Sequence, residues 1–218
     1  MTYFSLTGRC LLVSAAVFWL CSIAMLSWAG ETPVTGAGLG KTGRFTQSYD
    51  WYEGERRNTV WLNPGLIAEF HAGAAQESPI SALYPDALLL DHPGAHIRIW
   101  RLPGGIDSGS VLESLNSGAE QAVKYSPVFH DAPGPASRMR ALPGNIIVYF
   151  NPEWDKKTIS QWVAAHELLV VHQLASGSPA YVLKTGPGLE ALELANTLHE
   201  TDGVNAAFPD WWHETVTR

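Results

Sequence analysis

The residues with the most chemical promise lie in AAHELLVVH, Ala164–His172. A histidine followed by a glutamate opens the helical motif of zinc hydrolases. That motif needs a second histidine four residues on, so that both imidazoles share a helix face and the glutamate serves as base. Here Val170 takes that position and His172 comes two residues later. A six-residue offset turns two helical side chains roughly 120° apart, so the motif fails at its most demanding position. The plainer reading is a helix closing near His166 and a strand starting near Leu168, because LLVV is apolar and β-branched. His199 and His213 lie further along. No spacing gathers the four histidines into a ligand set, so no metal is expected. An enzyme built on metal-bound His166, His172 and His199 is the contrasting reading that stoichiometric metal would revive.

Other catalytic patterns are fragmentary. IDSGS, Ile106–Ser110, is like the stretch around the catalytic aspartate of subtilisin-like proteases. No His-Gly-Thr stretch follows it and no Gly-Thr-Ser precedes a helix. Asp107 reads better as a helix cap. Gly-x-Ser-x-Gly and the Gly-rich phosphate loop are both missing. Both cysteines, Cys10 and Cys21, fall in the apolar N-terminal run, which leaves the remainder without a thiolate site or disulfide. No cofactor and no catalytic activity are expected.

The N-terminal run itself reads as a secretory signal over residues 1–29: one positive charge at Arg9, a long apolar stretch, then Ser27-Trp28-Ala29. An uncleaved membrane anchor is the alternative, because the stretch is long. Either way the remainder is secreted or periplasmic. Net charge is −7, and acidic surfaces repel phosphate backbones, so nucleic acid is not an expected partner.

Residues 30–58 are rich in Gly, Thr and charge and are expected to be a flexible leader. Asp131–Asn145, DAPGPASRMRALPGN, has the composition of an interdomain linker, placed at 131–144. After it the pattern is clear. NIIVYF, Asn145–Phe150, is a strand; Asp155 caps a helix whose buried face is Ile159, Trp162, Val163 and His166. LLVVHQL, Leu168–Leu174, and AYVLK, Ala180–Lys184, form a hairpin across Ser176–Pro179. Pro187 starts a second helix, facing inward through Ala191, Leu194, Ala195 and Leu198, and ending at Gly203. VNAAF, Val204–Phe208, is the last strand. The succession βαββαβ predicts an α+β fold with a ferredoxin-like antiparallel sheet. Residues 59–130 read as a degenerate copy of the same plan: strand 59–70 kinked at Asn63-Pro64-Gly65, helix 79–83, strands 87–90 and 96–102, helix 108–115, strand 122–130.

On these residues the segment 145–212 resembles the N-terminal propeptide domains of subtilisin-like serine proteases and the related propeptide-type inhibitors. The most specific part is YVLKTGPGLEALELANTLHETDGVNAAFPDW. PVFHDAPG, Pro127–Gly134, followed by a new strand, is similar to larger bacterial members with a module before the propeptide. The resemblance implies a subtilisin-like protease as partner, with the sheet packed on two protease helices and the tail lying product-like in the cleft. The implied contact residues are Leu168, Val170 and His172 on one strand and Val204, Ala206 and Phe208 on another. From the tail they are Asp210, Trp211, Trp212 and Arg218, with 213–218 as its free end. Trp211 and Trp212 are either anchors in the partner or a cover for the domain's own core. A catalytic domain follows directly in that family, whereas this chain ends at Arg218. The expectation is therefore an inhibitor or folding chaperone acting in trans. The alternatives are an envelope interaction or scaffold module, or the remnant of a protease precursor.

Overall fold

A computed structural model describes residues 45, 47–71, 77–91, 96–117 and 123–215. The expected signal at 1–29 and Arg218 lie outside the described residues. The fold is α+β with antiparallel sheets. Its first part contains β1 (Ser48–Glu53), β2 (Arg56–His71), α1 (Pro79–Leu83), β3 (Leu88–Leu90), β4 (Ile97–Arg101), α2 (Ser108–Asn116), β5 (Val123–His130) and β6 (Met139–Ala141). The second part contains β7 (Asn145–Phe150), α3 (Lys156–Ala165), β8 (Leu169–Leu174), β9 (Ala180–Lys184), α4 (Leu189–His199), β10 (Val204–Pro209) and β11 (Trp212–His213).

Local chemistry sets the helix starts. Asp107 and Asp155 both take extended backbone and accept from Gly109 N and Thr158 N, which satisfies otherwise orphaned amides. His166 is the C-cap of α3, and its Nδ1 lies 2.8 Å from the Trp162 carbonyl. Glu167 follows with φ +55 and turns the chain into β8.

The larger sheet runs β11-β6-β5-β2-β4-β3, with β1 paired beside β2. The smaller runs β10-β7-β9-β8. Within the larger sheet the succession β2-α1-β3-β4-α2-β5 is arranged as β5-β2-β4-β3, and β7-α3-β8-β9-α4-β10 is arranged in the same way. The kink expected at Asn63-Pro64-Gly65 appears as a register shift between Asn63 and Ile67 where β2 meets β5.

Two stretches differ from the sequence expectation. Residues 48–58, assigned to the leader, form β1, its turn and the start of β2; Trp51 is buried and joins the main core. Polar residues dominate that stretch, so a single buried aromatic leaves no periodic signal. Residues 131–144, assigned to a linker, hold β6 and the buried Leu142. The Leu142 amide donates to Ser126 Oγ at 3.0 Å and its carbonyl accepts from Gly188 N at 3.0 Å. Residues 139–144 are thus a packed seam, while 131–138 are mostly exposed. Gly144 turns it into β7 with φ +98, where a Cβ would sit 2.8 Å from the Thr185 carbonyl.

One core crosses that seam. Trp51, Val60, Phe129 and Leu142 pack with Ile146, Val148 and Phe150 of β7, Ile159 and Val163 of α3, and Ala191, Leu192, Ala195 and Leu198 of α4. A second cluster lies under α1 and α2, with Ile67, Ile80, Trp100, Val111, Leu115 and Tyr125. A third, on Leu66, Ala68, Ile97, Ile99 and Val128, is joined by Trp212.

Candidate functional site

Cross-strand partners in a sheet share a face. In the smaller sheet Phe208 lies opposite Ile147, Ile147 opposite Val182, and Val182 opposite His172, so these four form a row across all four strands. A parallel row runs Ala206, Tyr149, Ala180, Leu174. The alternate residues Ile146, Val148 and Phe150 point the other way, into the core with α3 and α4. The two rows therefore make the outer face. Tyr149 and Phe208 stack there with ring centroids 5.9 Å apart. Val182 and Ala180 are buried, Ile147, Tyr149, Ala206 and Phe208 half-buried, and His172 exposed.

Of the expected contact residues, His172, Ala206 and Phe208 come together on this face. Val170 and Val204 lie opposite Leu183 and Phe150, on the helix side. Leu168 precedes β8 and is half-buried against the main core. β8 is the edge of its sheet, and Leu169 to Gln173 are all exposed.

The tail is elsewhere. The Asp210 amide donates to the Asn145 carbonyl at 3.0 Å and Glu214 N to the Met139 carbonyl at 3.0 Å. Trp212 and His213 pair with Ala141 and Arg140. The Trp211 ring meets Trp51 and Phe129 edge-on, each at 5.6 Å, and the Arg140 guanidinium lies 5.9 Å from its centroid. The Trp211 Nε1 is buried and has no hydrogen-bond partner among the described residues. Asp131 pairs with Arg140 and so holds the guanidinium beside both tryptophans. Trp211 and Trp212 thus pack, half-buried, against the chain's own clusters.

The histidines are separate. His166 stacks on Trp162 at 3.8 Å, His199 on Tyr52 at 4.2 Å, and His172 stands on the exposed edge. Among the described residues no three His, Cys, Asp or Glu side chains are grouped to hold a metal ion. Asp107 is committed to its cap.

Two buried polar groups gave no sequence signal. Glu69 accepts from Arg98 Nη1 at 2.9 Å, Trp100 Nε1 at 2.7 Å and Ser78 Oγ, which anchors β2 to β4 and to the start of α1. Tyr125, close by, has its phenol pushed up to about 12, first by burial and then by the Glu69 charge. His130 is buried, with Nδ1 2.8 Å from the Ser137 carbonyl and Nε2 3.2 Å from Asn63 Nδ2. A carbonyl only accepts, so Nδ1 carries the proton and Nε2 accepts from the amide. Burial holds the imidazole below its usual value, against the opposing pull of Ser137, Glu214 and Asp131.

No family model, curated protein or solved structure matches the chain. Among the described residues no helix is long and apolar enough to cross a membrane.

Proposed function

We propose that this chain is an exported, non-catalytic protein-interaction module made of two ferredoxin-like units, at 59–130 and 145–212, the first a degenerate copy of the second. The shared strand order β5-β2-β4-β3 and β10-β7-β9-β8, each with two helices, supports the repeat. The observation that carries the interaction reading is the smaller sheet. Its outer face carries two apolar rows, one of them ending at His172 on the exposed edge strand β8.

The resemblance of 145–212 to subtilisin propeptides supplies the partner class, a subtilisin-like serine protease that docks on this face. The tail argues against product-like inhibition. Threading Asp210–Thr215 through a cleft requires unpairing β11 from β6 and withdrawing Trp211 from the core. Contact through the sheet face, as a scaffold or folding aid, leaves those interactions in place.

The test is a titration of the full chain against a panel of subtilisin-like proteases, followed by binding, inhibition and assisted refolding. Binding that weakens at least about tenfold in His172→Glu and Ala206→Arg, both charges placed on an apolar docking face, supports the docking reading. Substitution at Trp212 is expected to leave binding unchanged. A chain that is digested without binding, inhibiting or assisting any protease removes the protease partner and leaves an envelope scaffold or a precursor remnant.

A further inference from the structure

Among the described residues the exposed large apolar side chains are Leu83, Leu88, Leu89, Leu169, Val170 and Val171. All but Leu83 lie on β3 or β8, the two strands that end their sheets in equivalent places. Exposure is 58% and 53% at Leu88 and Leu89, and 64%, 48% and 49% at Leu169, Val170 and Val171. A sheet edge offers unpaired N–H and C=O groups. Proteins usually guard it with lysine, proline or shortness. β3 is short and lies between Asp86 and Asp91. β8 has six residues, LVVHQL, with no lysine, no proline and no acidic group.

We propose that two copies of this chain associate through β8, antiparallel and about a two-fold axis, joining their smaller sheets into one continuous sheet. Charge selects this edge and this partner. The chain carries −7, so two copies repel over most of their surface, and β8 is an uncharged place for them to meet. Antiparallel pairing sets the beginning of one β8 against the end of the other. Glu167, just before one strand, then faces Ser176–Gly177–Ser178 after its mate, and no like charges are opposed. The same operation on β3 brings Asp86 against Asp91 and is repulsive. A two-fold contact also closes on itself, whereas β3 on β8 would propagate. Val171 sits at the register shift between Val170 and His172, so its side chain adds to the contact without serving β9. A single strand pair covers less area than a standard stable interface, so the dimer is weak and concentration-dependent. The inference does not depend on the identity of any other partner.

Sedimentation velocity of the purified full chain over a range of concentrations tests it. The expected result is a monomer–dimer equilibrium. Val170→Lys and Val171→Lys each raise its dissociation constant at least about tenfold, with circular dichroism and thermal midpoint unchanged. Leu89→Lys leaves it as it is. Two positions are used so that a folding defect at one does not decide the matter. A monomer at every concentration overturns the proposal. So does a dimer indifferent to both valine substitutions, or open-ended assembly abolished by Leu89→Lys.

Discussion

Glu69 makes the sharpest case for one residue deciding local structure. Its carboxylate is buried and takes donors from β4 and from the N-cap of α1, Ser78. Removing one partner of a buried ion pair costs about 3–5 kcal/mol. Glu69→Ala is expected to lower unfolding stability by that order in urea titration, whereas replacing Glu69 and Arg98 together with apolar residues loses less. His130 gives a pH signature. Its folded pKa is below its ordinary value, so the neutral ring is the form the fold prefers. That contribution is fully present above the unfolded value of about 6.5 and is lost as pH falls through it toward the lower folded value. The thermal midpoint of the full chain should drop across that window, and His130→Gln should flatten the drop.

At the scale of elements, β11 and β8 behave oppositely. β11 is only Trp212–His213, yet it pairs with β6 while Trp211 beside it packs against the main core. Trp211→Ala should cost about 2–4 kcal/mol, below the full core value because the ring is half-buried. Truncation at Pro209 should likewise destabilise the fold. Loss of binding in such a truncation therefore reports unfolding, and point substitutions on the outer face are the cleaner probe. β8 contributes little to burial, so Val171→Lys should change stability by no more than about 0.5 kcal/mol. Urea unfolding of the two variants separates these expectations.

Across the whole molecule, the core shared between β1, β2, β5 and the helices α3 and α4 ties the two sheets together. Residues 139–144 lie along that contact, and Arg140 reaches across it, with its guanidinium 5.5 Å from the Trp51 ring centroid. A single cooperative transition, coincident by tryptophan fluorescence and far-ultraviolet circular dichroism, is therefore expected. Two transitions would indicate sheets that fold separately.

The sequence alone determined what short-range periodicity and capping can encode. The strand at Asn145–Phe150, the helix beginning after Asp155, the hairpin β8–β9, and α1 and α2 of the first half were all legible, because each carries its own apolar rhythm and cap. The failed zinc spacing at His166 and Val170 was legible for the same reason. Tertiary structure alone decided the rest. β1, β6 and β11 are short or mostly polar, and each is held by partners far along the chain: Trp51 by Trp211, Ala141 by Trp212, Leu142 by Ser126 and Gly188. The buried states of Glu69 and His130, the capture of the tail and the exposure of β8 arise from such long-range pairings. A window of neighbouring residues carries no record of which distant surface will cover it.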